Sequence, residues 1–306
     1  MTHNQKIEYL SKYAAKRFRV WQKKYGENIV GVHVGHKRIK NKKIKRYSIV
    51  FHVISKGKLK SQQIPESIKV SFPDNTMTFI PTDVIETGKL KLTSIGLSDR
   101  IRNTSTVDFG GVGLFFYNEN NIYALSNMHV LGPDIVFNQA LNEYFLAVEN
   151  QHNPNIEVYN NGDMSYGYLE EGRFDQIDVA IARMGEPEKI DNNIYDYGEP
   201  IGYRIVNRLN FNSIKIFIAG SKSGEMWGNI LDIGISRDTH INNVTLDNLI
   251  LTDIPVDYGD SGSPVLDSSM RIIGIVEGKD SFGSYIIPIK FILNEFPHLH
   301  LLTNPK

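Results

Sequence analysis

Asp257-Tyr258-Gly259-Asp260-Ser261-Gly262-Ser263-Pro264-Val265 sets a serine between two glycines, behind an aspartate and ahead of an apolar run that reads as a β-strand. Flanking glycines let the backbone turn sharply and bring N–H groups close to a bound carbonyl, which an acyl-transfer serine needs. A polar turn between two strands would use the same residues. A serine hydroxyl is a poor nucleophile until a base accepts its proton, and that base needs an acid to orient it. The choice between turn and nucleophile therefore rests on what the rest of the chain supplies.

It supplies both partners upstream. His129 closes the apolar run Ala124-Leu125-Ser126-Asn127-Met128-His129-Val130, where its ring can project over a cleft. Asp178 opens the strand-like run Asp178-Val179-Ala180-Ile181-Ala182, an expensive place to bury a carboxylate without a partner. Asp175 competes with it, but lies ahead of the strand, where a loop position is expected.

Gly259-Asp260-Ser261-Gly262-Ser263-Pro264, Ser126-Asn127-Met128-His129-Val130 and Asp178-Val179-Ala180-Ile181 together resemble the three signatures of the chymotrypsin-like serine protease family, in that family's order of His, Asp, Ser. A subtilisin would show Asp first, and an α/β-hydrolase would carry glycine at position 263, which here is serine. The separations of 49 and 83 residues suit one barrel holding His129 and Asp178 and a second holding Ser261.

The resemblance implies Ser261 as nucleophile, His129 as general base and later acid, and Asp178 as the orienting carboxylate. It implies an oxyanion hole from the backbone N–H groups of Gly259 and Ser261. Gly110 to Phe116 resembles the family's entry strand, and Ile273 to Gly278 the strand that pairs with substrate backbone, which places Val276, Glu277 and Gly278 beside substrate. Tyr285 to Ile289 resembles the last pocket strand. Gly220 to Ile230 and the Ser-Asn-x-His-Val form also resemble a cytosolic, cysteine-free subgroup that includes the plant NARROW LEAF 1 type, although Glu225-Met226-Trp227 departs from its pattern.

Two departures from secreted relatives bear on activity. Those relatives pair a freed N-terminus with the aspartate before the serine, whereas here about a hundred residues precede the protease part. Asp260 is therefore expected to find its hydrogen bonds within the chain, unless the enzyme is latent until something moves it. At the pocket-floor position six before the serine stands Pro255, so the acidic floor of an Arg/Lys-specific enzyme is missing there and apolar or small P1 residues are expected. Asp253, Asp257 and Glu277 are near in sequence, and spacing does not say which points inward.

The 306 residues carry equal numbers of acidic and basic side chains, yet residues 1–100 hold 21 Lys and Arg against 7 Asp and Glu, and the remainder holds 13 against 27. That asymmetry suggests two units. Cysteine is absent, which excludes disulfides and thiolate metal sites. Neither a signal-peptide core nor a run long enough to span a membrane is present, so a soluble cytoplasmic protein is expected.

Ile7, Leu10, Ala14, Phe18, Trp21 and Tyr25 recur at helical spacing and predict an amphipathic helix ending near Gly26. Four β-rich runs follow, at 29–34, 47–54, 68–72 and 77–80, giving a small basic α+β unit over residues 1–91. The basic stretch Lys37 to Arg46 reads as a solvated hairpin tip, with nucleic-acid or acidic-partner binding as the alternative. His33, His36 and His52 lie at strand-like spacing and read as ordinary histidines for want of an acidic ligand at a fitting position. From about Gly110 short strands alternate with Gly, Asn, Asp and Pro, which predicts antiparallel barrel or sandwich architecture, and 288–296 predicts a terminal helix.

The expectation is a mainly β protein, two antiparallel β-barrels over residues 92–306 preceded by the α+β unit. It would hydrolyse protein or peptide substrates with no cofactor and no metal, and residues 1–91 would recognise a regulatory partner or hold the protease silent. The rival expectation is a protease-fold binding or sensor module with little hydrolysis, its basic unit binding a partner or nucleic acid.

Overall fold

The computed structural model describes residues 1–303 except 27, 40–41, 56–63, 88–90, 93–99, 107, 120, 133–144, 147–154, 161–162, 195–196 and 240–243. Helix α1 (His3–Tyr25) opens with a capping box: the Thr2 side chain accepts from Gln5 N–H, and Gln5 reaches back to the Thr2 backbone. It ends at Gly26, whose φ of 114° is the conformation glycine tolerates. Ile7, Leu10, Ala14, Phe18 and Trp21 form its buried stripe.

That stripe packs on strands β1 (Ile29–Ile39), β2 (Lys42–Val53), β3 (Ser67–Ser71) and β4 (Met77–Glu86). Val32, Val34, Ile49, Phe51 and Val70 close the cluster from the sheet side. The stretch Lys37 to Arg46, expected as a hairpin tip, does join two paired strands, but the strands reach far into it: β1 continues to Ile39 and β2 begins at Lys42, with residues 40–41 outside the described residues. Backbone pairing of the hairpin carries these residues as strand despite their charge. Strand β4 lies parallel to β2. The next described strand after Thr87 is β5 (Lys91–Leu92).

The first β unit contains β6 (Arg100–Asn103), β7 (Gly110–Gly111), β8 (Leu114–Asn118), β9 (Asn121–Ser126), the one-turn helix α2 (Met128–Leu131), β10 (Phe145–Leu146), β11 (Ile156–Asn160), β12 (Asp163–Phe174) and β13 (Asp178–Met184). Its strands pair antiparallel in the order β8-β9-β13-β12-β11-β6-β7. The second unit contains β14 (Gly202–Tyr203), β15 (Lys215–Gly220), β16 (Gly224–Asp238), β17 (Thr245–Thr252), β18 (Pro264–Asp267), β19 (Arg271–Lys279), β20 (Ser284–Pro288), the helix α3 (Ile289–Glu295) and β21 (His300–Leu301). Six of these strands run β15-β18-β19-β20-β17-β16, and the additional β15–β16 ladder closes the ring into a barrel. Ile216, Ile218, Ile230, Ile250, Val265, Ile273, Val276 and Ile286 fill one apolar cluster of this barrel. β21 returns to pair with β8, tying the chain's last strand to the first β unit.

The α+β unit does not stand apart. β1 pairs antiparallel with β16, Gly31 opposite Arg237 and Val32 opposite Ser236, so its sheet continues the barrel's. A Cβ at position 31 would sit 2.6 Å from the Ser236 carbonyl oxygen, so glycine permits this approach. Arg208 pins the seam, donating from Nη2 to Val34 O at 2.7 Å and to Ile233 O at 2.6 Å.

Candidate active site

Two short segments of the first β unit converge because β9 lies beside β13, with Ser126 opposite Ala180. The end of β9 and the start of β13 therefore meet at one end of the sheet. α2 begins there, so His129 stands directly over Asp178. The His129 backbone N–H donates to Asp178 Oδ1 at 3.0 Å, and the ring Nδ1 pairs with Asp178 Oδ2. Asp178 is fully buried and the His129 side chain is 5% exposed, so this ion-pair-like contact is shielded from water. The burial that made Asp178 conspicuous in the sequence is thus compensated by two donors of one histidine.

The second β unit brings the serine. Gly259 and Gly262 adopt φ of 104° and 83°, folding residues 259–262 into a tight turn. Ser263 N–H donates to Asp260 O at 2.9 Å, Gly111 N–H to Ser261 O at 2.7 Å, and Gly262 N–H to Val276 O at 2.8 Å, so both β units grip the turn. The Ser261 hydroxyl donates to Glu277 O at 3.2 Å. Gly259 and Ser261, the two expected oxyanion donors, both lie in this turn, and the Ser221 hydroxyl donates to Gly259 O.

Asp260 anchors the turn from below. Its buried carboxylate accepts four hydrogen bonds: Oδ1 from Lys222 N–H and Ser223 N–H at 3.0 Å each, and Oδ2 from the Ser223 hydroxyl at 2.6 Å and Asp257 N–H at 2.8 Å. All four donors belong to the β15–β16 turn or to the loop itself.

Glu277 stands where the sequence reading put a wall of the substrate pocket, but its side chain turns inward. It is fully buried, and its Oε2 accepts from Asn127 Nδ2 at 2.8 Å. Asn127 Nδ2 also donates to Asp178 O at 3.0 Å. A ring nitrogen of His129 and a carboxylate oxygen each of Asp178 and Glu277 all lie within 4.8 Å of one another. Burial, then the charge of Asp178, then a hydrogen bond with that carboxyl push Glu277 well above the ordinary carboxylate range.

Of the other expected substrate contacts, Val276 is buried in the barrel core, so it can offer substrate only its backbone. Gly278 pairs with Leu92 of β5. Pro255 is exposed between the buried Ile254 and Val256. Asp253 turns to Asn229, accepting from its N–H at 2.6 Å, and Asp257 forms salt bridges with Lys222 and Lys279 at 3.2 Å each. A cavity of about 550 Å³ lies elsewhere, between α1, the 205–209 segment and α3, and none of His129, Asp178 or Ser261 lines it.

The sequence reading missed a second buried constellation. His33 Nδ1 and His52 Nε2 are 2.7 Å apart, and His33 Nε2 meets Asp232 Oδ2 at 3.1 Å. The acidic partner comes from β16, two hundred residues downstream, so no local spacing signals it. Burial works to raise Asp232, but the charge and hydrogen bond of His33, with Arg208 and the Ile233 N–H, hold it at about 2. Burial, then the charges of Arg237 and His33, push His52 well below the usual histidine range. Asn127 also went unassigned, although its place two residues before His129 was visible.

No protein-family model and no curated protein matches the chain. Solved structures do. Thermobifida fusca protease A superposes with a TM-score of 0.51 at 17% identity, over 69% of this chain and 99% of that one. A Nocardiopsis protease gives 0.49 at 16%, over 68% and 99%, and a Cellulomonas bogoriensis chymotrypsin 0.46 at 17%, over 69% and 98%. At these identities the likeness is one of fold: the chain is mainly β and has a chymotrypsin-like architecture, with a helix-bearing unit before it. No helix among the described residues is long and apolar enough to cross a membrane.

Proposed function

We propose that this chain is a serine endopeptidase in which Ser261 attacks the scissile carbonyl, His129 takes and returns the proton, and Asp178 orients His129 and stabilises its charge. The observation that carries the reading is that Glu277 is shared by the two parts: its backbone carbonyl accepts the Ser261 hydroxyl, and its side chain lies beside the His129–Asp178 contact. A carbonyl carbon attacked by Ser261 would develop negative charge on its oxygen, and the N–H groups of Gly259 and Ser261 are the donors proposed for it. The acyl-enzyme would then be released by water, with no cofactor. Protein or peptide is the proposed substrate class and the cytoplasm the proposed compartment. Affiliation with the NARROW LEAF 1 type is supported only by the residues quoted for it.

Latency is part of the proposal, and a specific contact supports it. Lys91–Leu92 pairs antiparallel with Gly278–Lys279, immediately after the residue whose carbonyl accepts the Ser261 hydroxyl. An extended substrate adding a strand to that edge would compete with β5 for the same backbone groups. Thr87 holds the start of this segment in place: its carbonyl accepts from Ser281 Oγ at 2.7 Å and its hydroxyl from Arg237 at 3.0 Å. In this reading Lys91–Leu92 lies on the substrate edge until a partner of residues 1–91 draws it away.

Labelling with a fluorophosphonate probe tests the nucleophile. Wild type should label and Ser261→Ala should not; equal labelling of both proteins would end the Ser261 assignment. A peptide library would then report P1 preference, expected to be apolar or small, and cleavage only after Arg or Lys would overturn that expectation.

A further inference from the structure

Glu277 is a carboxyl group that the proposed triad does not use, set inside its hydrogen-bond network. Its surroundings are poor for an anion. It is fully buried, it receives one neutral donor from Asn127 on Oε2, and as a carboxylate its Oε1 has no hydrogen-bond partner among the described residues. The titratable groups gathered around it are Asp178 from β13 and His129 from α2. Asp178 already accepts from two donors of His129 and one side of it faces a second acid. Two buried carboxylates at this range do not both ionise, and one holds the proton. Asp178 is the one beside a base that becomes cationic during the reaction, so its charge is the one the site needs.

We propose that Glu277 is a positioning residue that stays protonated at working pH and donates a hydrogen bond to the Asp178 carboxylate, with Asn127 fixing its other oxygen. The inference deepens the serine-protease reading and rests on it. No proton leaves Glu277 in this role. It completes the donor set of Asp178, holds that carboxylate in plane with the His129 ring, and keeps Asp178 from becoming the proton carrier. The upward push on Glu277 from burial and from Asp178 agrees with this division of roles.

The experiment compares Glu277→Gln and Glu277→Ala with wild type, each checked for folding by circular dichroism. Glutamine is neutral and still offers a donor to Asp178 and an acceptor to Asn127. Its kcat/KM should stay within about threefold of wild type and the acid limb of its pH profile, which reports protonation of the base, should not move. Alanine removes the donor and should cost about 10- to 100-fold, as loss of outer partners of catalytic groups does. If Glu277 were an anion, Glu277→Gln would remove a negative charge beside His129, and the acid limb would move to lower pH; that shift overturns the proposal. Infrared spectra at pH 7 give a readout independent of hydrolysis: wild type should show a protonated-carboxyl C=O band that Glu277→Gln lacks. Absence of any such difference band overturns the assignment, as would a divalent metal that copurifies with wild type and is lost in the variant. A difference band in a protein that hydrolyses nothing would leave the proton on Glu277 and sink the protease reading alone.

Discussion

Replacing Asp260 by asparagine should destabilise the protein by about 3–5 kcal/mol and slow fluorophosphonate labelling of Ser261. The perturbation is nearly isosteric, so packing is not the variable. With the amide oxygen in the Oδ1 position, the amide nitrogen faces the Asp257 N–H and the Ser223 hydroxyl, which both donated to the lost Oδ2. The hydroxyl can rotate and accept, but the backbone N–H cannot, and stranding it costs about 1–3 kcal/mol. The bonds from Lys222 N–H and Ser223 N–H survive but lose their charge assistance, about 1 kcal/mol each. The flipped rotamer would strand those two N–H groups instead, a larger loss. Urea unfolding of wild type and Asp260→Asn followed by circular dichroism measures the difference, and the labelling rate reports how far the Ser261 turn has loosened. A loss below about 1 kcal/mol would refute the reasoning, because it is within what unremarkable substitutions cost. It would mean that the carboxylate does not hold the turn.

Two further outcomes follow from other parts of the structure. His52 is buried and its pKa lies well below 6.5, so it is neutral when folded and takes up a proton on unfolding; this contribution to stability is present above 6.5 and is lost as pH falls below it. Denaturant unfolding of His52→Gln between pH 7 and 5 should show a shallower decline than wild type, by up to about 1.4 kcal/mol per pH unit, and parallel curves would count against it. Placing proline at both 91 and 92 removes the N–H groups with which β5 can pair, so the labelling rate of Ser261 should rise about tenfold, on the scale of one or two backbone hydrogen bonds; an unchanged rate would argue that β5 does not cover the substrate edge.

What the sequence made legible was whatever is encoded locally. The α1 stripe is a period, and its first five residues, Ile7 to Trp21, are buried as that period requires, with Tyr25 half-buried at its end. The β-rich runs of the second unit are likewise local chemistry. His129 and Asp178 could be paired in advance because a carboxylate opening an apolar strand needs a donor, and their order with Ser261 narrowed the choice. What stayed hidden depends on contacts between distant segments. Glu277 lies 150 residues from Asn127, and only the folded chain shows that its side chain turns to Asp178 and away from a pocket. The acid that completes the His33–His52 pair sits on a strand of the barrel. Its charge made Lys37 to Arg46 read as a hairpin tip throughout, whereas the ladder between β1 and β2 carries most of it as strand.

The pairing of β1 with β16 has a practical consequence for anyone who would prepare the two β units alone. The first half of β16 is covered by β15, but its second half, at Ser236 and Arg237, has β17 on one side and β1 on the other. Cutting away residues 1–91 would open that side, baring backbone donors and acceptors along a seam that other chains could occupy. The Val34 carbonyl that shares the Arg208 guanidinium with Ile233 would go with it. A shortened chain would therefore be prone to self-association, and its activity would report the exposed seam as much as any release from inhibition.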